Sequence, residues 1–314
     1  MSSTVLPAAL TTAAIARPVT IGGVEFVATR IFVPRMERAQ IESGLLFNNG
    51  YSYGYELLAN NPNQTITFGG DSVGVGQDIQ VVLDADFTGV PGPLTYEINW
   101  AGMFLRNPAD LVELWSSYIN ELTISSGASD YGSTMTERVI VNFADNDGDQ
   151  GIFAGVFPAT TDRYWQITVD DGGTLGAQCS MLWVGTYFDI AVRCDYGYTE
   201  TDGFNVAQID VGGGRTLSRL GVSSPRRRII RNYGALTGEQ LAIIRGAFNA
   251  AYGSHVPVIV VDYEDSPNLE PRCGRIMRFA QENLSERRVE CPEERWALQL
   301  AFEELAIIPF GRSY

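Results

Sequence analysis

Residues 164–192, YWQITVDDGGTLGAQCSMLWVGTYFDIAV, decide the fold class. They hold two runs rich in β-branched and aromatic residues, 164–169 and 181–192. Between the runs lies the turn signal Asp170-Asp171-Gly172-Gly173. Such runs favour strands, because branched and aromatic side chains pack well on a pleated surface. Outward from this pair the pattern repeats. Runs at 65–68 (TITF), 79–83 (IQVVL), 94–100 (LTYEINW) and 138–143 (RVIVNF) are separated by Gly69-Gly70 and Pro91-Gly92-Pro93. Many short strands without alternating helices predict a mainly β protein built of antiparallel β-sandwich domains.

Toward the N-terminus, 18–33 (PVTIGGVEFVATRIFV) reads as two strands joined at Gly22-Gly23, a hairpin signal. One helix interrupts the middle region. Asn107 can cap it, Pro108 suits its first position, and Leu111, Leu114, Trp115, Tyr118 and Leu122 recur at helical spacing, so it should run about 108–122. Beyond Gly212-Gly213-Gly214 and the arginines at 226–231, Thr237-Gly238-Glu239-Gln240 matches a capping box. Leu241, Ile244, Phe248 and Ala251 form one apolar face behind it, and Gly253 closes the helix. Strands are predicted at 256–263, 273–279, 285–291 and 295–302. In the last, Trp296, Leu298, Leu300 and Phe302 alternate with smaller or polar residues.

The residue inventory excludes most enzyme chemistries. The chain has 314 residues, a formal charge of -15 and 22 basic residues, all of them Arg. Without Lys there is no P-loop lysine, Schiff base or Ser-x-x-Lys pair. His255 is the single histidine, so two-histidine zinc sites are excluded as well. The acidic balance disfavours nucleic acid and anionic membranes as partners. No apolar stretch approaches the length of a membrane span, and the N-terminus lacks the charged start of a signal peptide. Synthesis in the cytoplasm without export is the expectation. Cys179, Cys194, Cys273 and Cys291 are too scattered for a zinc site or a disulfide framework and read as apolar thiols.

Four constellations qualify as candidate sites. Gly70-Asp71-Ser72-Val73-Gly74 matches G-x-S-x-G, with His255 as the sole possible base, but Val75-Gly76-Gln77 does not start a helix, so the turn reading is preferred and no catalytic residue is assigned. Asp145, Asp147 and Asp149 alternate and could converge on calcium, yet Val156 stands where an EF-hand places its bidentate Glu; an acidic turn gives the same sequence. No other cofactor is implied. Arg226, Arg227, Arg228 and Arg231 form the one basic cluster. In so acidic a chain this reads as an interface, pairing with carboxylates such as Asp262, Glu264 and Asp265 of a neighbouring copy. The aromatics Trp100, Trp115, Trp165 and Trp183, with Tyr51, Tyr53 and Tyr55, could line a sugar-binding face; strand aromatics are more often core.

The segment 226–302 carries a resemblance. RRRIIRNYGALTGEQLAIIRGAFNAAYGSHVPVIVVDYED followed by the closing ERWALQLAFEEL resembles the distal tail and minor tail proteins of long-tailed bacteriophages, and the opening TIGGVEF is similar to their start. The resemblance implies a discontinuous tail-tube-like core domain (1–38 and 205–314, with one packed helix) and a β-sandwich insertion, galectin-like or carbohydrate-binding, at 39–204. It also implies a structural ring of the virion tail tip or baseplate, commonly hexameric. Such a ring would join the tail tube to hub and receptor-binding proteins and could meet a host surface glycan. A carbohydrate-binding module and, far behind, a serine hydrolase are the alternatives.

Overall fold

The computed structural model describes residues 19–21, 24–36, 40–44, 66–67, 79–86, 93–106, 121–128, 135–142, 151–170, 178–195, 199–203, 206–210, 216–220, 226–262, 269–289 and 294–305. In chain order the strands are β1 (Val19–Ile21), β2 (Val24–Phe26), β3 (Thr29–Pro34), β4 (Gln40–Gly44), β5 (Ile66–Thr67), β6 (Ile79–Asp84) and β7 (Ile98–Arg106). They continue as β8 (Glu121–Gly127), β9 (Thr136–Asn142), β10 (Ile152–Thr160), β11 (Tyr164–Asp170), β12 (Gln178–Ile190) and β13 (Thr199–Gly203). After β14 (Val206–Asp210), β15 (Thr216–Leu220) and β16 (Arg226–Leu236) comes helix α1 (Gly238–Ala250). Then follow β17 (Val258–Asp262), a short 3-10 turn (Pro271–Cys273), β18 (Arg275–Phe279), β19 (Glu286–Val289) and β20 (Arg295–Glu304). Every strand pair is antiparallel, as the turn-rich sequence implies.

One sheet of 11 strands runs in the order β10-β7-β12-β3-β17-β18-β20-β16-β13, with β5 beside β12 and β19 beside β20. A second sheet, β4-β6-β11-β8-β9, packs on its β10-β7-β12 end. Between them lies the sandwich core, where Trp165, Ile167 and Val169 of β11 meet Met103 and Leu182. At the other end α1 lies on the sheet. Its Leu241, Ile244, Ala247 and Phe248 pack on Ile31, Ile190, Tyr233, Met277, Leu300 and Phe302. Thr237 caps this helix as the sequence predicts: Gln240 N–H donates to its hydroxyl at 3.2 Å, and Thr237 N–H donates to Gln240 Oε1 at 2.9 Å. The sheet curls around α1 far enough for Arg231 of β16 to reach Thr29 of β3 and Asp262 of β17, although β18 and β20 stand between them in the sheet.

The strand β12 joins the two halves. Leu182 and Val184 face the sandwich core, and Phe188 and Ile190, on the same side, face α1. Met181 and Trp183 face a third cluster with Phe32, Trp100, Phe104, Ile259 and Ile276. A register shift between Cys179 and Met181 turns Cys179 back toward the sandwich core, since one extra residue reverses the alternation of faces.

Strand β3 pairs with β17, as expected, and also with β12 (Phe188↔Ile31, Ile190↔Thr29), so the expected core (1–38 and 205–314) and insertion (39–204) contribute strands to one sheet. Two expectations need correction. The first is the end of the helix at 108–122. Most of it lies outside the described residues, but Glu121 and Leu122 begin β8, and Leu122 is buried in the sandwich core. The second is the run at 94–100, which becomes a strand at Ile98 and continues to Arg106. The hairpin at 18–33 is present as β1–β2, with Ile21 opposite Val24.

Candidate functional site

Alternation along β16 divides the four arginines into two sets. Ile229 and Tyr233 point at α1, so Arg227 and Arg231 share that side while Arg226 and Arg228 point away. Arg231 is 6% exposed and pairs with Asp262, donating also to the Thr29 hydroxyl at 2.8 Å. Burial pushes the neighbouring Tyr233 hydroxyl up to about 12, against the opposing charge of Arg231. Arg227 pairs with Glu200 at 2.6 Å and approaches Asp202 at 3.7 Å, while its backbone N–H donates to Glu304. Asp262, expected to serve a neighbouring copy, is therefore the partner of Arg231 inside the chain. Glu264 and Asp265 lie outside the described residues.

Arg226 and Arg228 lie on the outward face. Arg228 stands opposite Glu303 of β20, which stands opposite Arg278 of β18, so base, acid and base form one row across three strands. Arg226 reaches Glu303 at 3.5 Å. Along β20, Ala301, Gln299 and Ala297 continue the same face, with Arg287 of β19 opposite Ala297. Asn232, Gln299 and Gln281 tie it together: Gln299 Nε2 donates to Asn232 Oδ1 at 2.9 Å, and Gln281 Oε1 accepts from Ala301 N–H at 2.9 Å. Only the cluster at 226–231 could be read from the sequence. Arg278 and Arg287 join through strand register, which no local signal encodes.

The outer face of the five-stranded sheet has a different character. Opposite the buried Trp165, Ile167 and Val169, strand β11 presents Tyr164, Gln166 and Thr168. Thr168 stands opposite Thr123 of β8, which stands opposite Ile140 of β9; Gln166 stands opposite Ser125. Ile140 is 42% exposed. Charges gather around it: Thr123 donates its hydroxyl to Glu121 at 3.5 Å, Glu137 of β9 stands opposite Ser125, and two further carboxylates are held in ion pairs. Arg163 holds Asp84 through two bonds of 2.7 and 2.6 Å, and Arg138 with Ser126 holds Asp162. Burial works to raise the Asp162 carboxyl, but the bonds from Ser126 and Arg138 hold it below the ordinary value.

The remaining candidates fare differently. Trp100, Trp165 and Trp183 are buried at 0–1% exposure and form core, as does the edge-to-face pair Phe32–Trp100 at 5.3 Å. Trp115 and the three tyrosines at 51, 53 and 55 lie outside the described residues. So do Asp145, Asp147 and Asp149, and so does Ser72; His255 is exposed on the loop after α1. Among the described residues no group of three or more His, Cys, Asp or Glu could hold a metal, and no helix is long and apolar enough to cross a membrane. Cys179, Cys194 and Cys273 are free thiols, and burial pushes Cys179 far up.

No family model and no curated protein matches the chain. Solved structures that share part of its shape include a carbohydrate-binding module from Clostridium perfringens in complex with GalNAc-β-1,3-galactose. That module is 14% identical, with a TM-score of 0.35 over 49% of this chain and 98% of that one. A second module, from a family 31 glycoside hydrolase of Clostridium perfringens, is 12% identical with a TM-score of 0.36, covering 49% and 95%. A chitosan-binding module from a Paenibacillus chitosanase/glucanase is 13% identical with a TM-score of 0.34, covering 49% and 98%. At this overlap they carry no argument, and the tail-protein resemblance has no counterpart among them. Fold and site rest on the strands and side chains above: the chain is an antiparallel β-sandwich protein.

Proposed function

We propose that this chain is a non-catalytic recognition protein that binds neutral carbohydrate on the outer face of its five-stranded sheet. The carrying observation is that face itself: in a chain of charge -15, its centre is uncharged and lined by Gln166, Thr168, Thr123 and Ser125, with Tyr164 and Ile140 beside them. Amides and hydroxyls both donate and accept, which suits a polyol, and the apolar edges of Tyr164 and Ile140 suit the C–H faces of a sugar ring. An anionic ligand would find no available counter-ion among the described residues there, because Arg138 and Arg163 are already paired with Asp162 and Asp84, and the carboxylates of Glu121 and Glu137 flank the face. Screening the full chain on a neutral oligosaccharide array tests the reading. Binding should appear and should weaken about tenfold or more in Gln166→Ala/Thr168→Val, since each lost hydrogen bond costs about 0.5–1.5 kcal/mol. An array without neutral binders, or binding unchanged in that variant, overturns it.

A second reading keeps a structural role in a phage tail tip. What favours it is the order of elements in 226–304: arginine strand, Thr-capped helix, strand ending in Asp262, closing Trp-x-Leu-x-Leu-x-Phe strand. Antibody labelling of intact particles should mark the tail end; a chain absent from purified particles overturns this reading.

A further inference from the structure

We infer that the outward face of the C-terminal sheet, carrying Arg226, Arg228, Arg278 and Arg287, is a docking surface for an acidic surface of a second copy of this chain. The inference rests on neither reading above, only on charge and register. Four guanidinium groups share the face with the carboxylate of Glu303, the carboxylate of Asp195 reaches it only at Gly234, and the whole chain carries -15. The remainder of the molecule is therefore more negative than the total, and each copy has a cationic face and an acidic remainder. Among the described residues, Arg228, Arg278 and Arg287 have no carboxylate within ion-pair distance, and all three are exposed. Between them lie Ala297, Ala301 and the interlocked amides of Asn232, Gln281 and Gln299, so no bulky side chain holds a partner away.

The row Arg228–Glu303–Arg278 alternates in sign, which argues for a protein surface of complementary alternation and against a uniform polyanion. Two such faces repel each other, because the arginines of both outnumber their carboxylates even where Glu303 of one meets an arginine of the other. The contact must be heterologous, cationic face to acidic surface, as in head-to-tail assemblies. Guanidinium forks favour carboxylates there through paired, parallel hydrogen bonds.

Light-scattering mass of the full chain across ionic strength tests this. Two chains of -15 repel over long range, whereas the local pairs act at contact. Salt first relieves the repulsion and then screens the pairs, since the Debye length falls from ~30 Å at 0.01 M to ~3 Å at 1 M. The average mass should pass through a maximum at intermediate salt. Arg228→Gln/Arg278→Gln, which places no like charges opposite Glu303, should weaken association severalfold with a nearly unchanged melting curve. Arg228→Glu/Arg278→Glu should weaken it at least tenfold while lowering the melting temperature modestly, since three carboxylates then share one row. The reversed variant keeps its acidic surface, so mixing it with wild-type chain should cap the assemblies and lower their mass. A monomer at every salt and concentration overturns the inference. So does association that survives the reversal, or a mixture in which the variant leaves wild-type assemblies untouched.

Discussion

Arg231 and Asp262 show what residue-scale sequence reading misses. In RRRIIR the arginines at 226, 227, 228 and 231 look equivalent, yet the period of two on a strand sends Arg231 under the curled sheet and Arg228 into solvent. A buried pair of this kind has a small net benefit, because desolvation offsets most of the attraction. Breaking it is another matter. Arg231→Met leaves Asp262, whose side chain is 10% exposed, without its counter-charge, and should cost about 3–5 kcal/mol in denaturant unfolding. Arg231→Met/Asp262→Leu removes both charges, and most of that loss should return, a large coupling between neighbours. Equal stability of the single and double variants would mean that Asp262 is satisfied by water and the pair is incidental.

Among the elements, legibility follows how local the deciding contact is. Helix α1 could be read completely, because its cap, apolar face and closing glycine lie within Thr237–Gly253 and act on one another directly. The hairpin β1–β2 was legible for the same reason, its register being set at Gly22-Gly23. Strand β10 (Ile152–Thr160) gave no such signal. Its Gly155 is required by packing against Val139, whose methyl group would lie 2.7 Å from an added Cβ, and Gly in a strand reads in sequence as a weak point. Leu122 was assigned to a helix because its spacing fits one, but burial against Trp165 and Ile167 makes it a strand residue, tertiary packing overriding periodicity. The bulge at Cys179–Met181 is likewise invisible: both residues are apolar, and only the two facing cores distinguish them. The neutral outer face of β11 was not singled out, because Gln, Thr and Ser between apolar residues read simply as the solvent side of a strand.

At the scale of the whole molecule, the sequence suggested a sandwich inserted into a second domain, while the hydrogen bonds describe one sheet with two packed layers. The difference has a testable consequence for folding. Strand β12 ends its pairing with β7 near Gly185 and continues to Ile190 on β3 alone, so cutting the chain to 39–204 removes the partner of half its length. It also uncovers apolar side chains. Phe188 and Ile190 lose α1, and Trp100 and Trp183 lose Phe32, Ile259, Ile276 and Leu305. Fully burying a side chain of this size is worth about 1.5–3 kcal/mol, so four of them represent a loss comparable to the ~5–15 kcal/mol by which a domain is stable at all. The excised 39–204 should accordingly bind a hydrophobic dye, show poor amide dispersion and melt without a sharp transition. Extending it to 19–204 restores β3 and should recover part of the dispersion, because the β12–β3 ladder re-forms. The full chain should unfold with coincident tryptophan-fluorescence and circular-dichroism transitions, since Trp183 on β12 and Trp296 on β20 lie in the two halves of the same sheet. A fragment 39–204 with a dispersed spectrum and a cooperative melt of its own would show that the shared sheet is a docking seam between two independent folds.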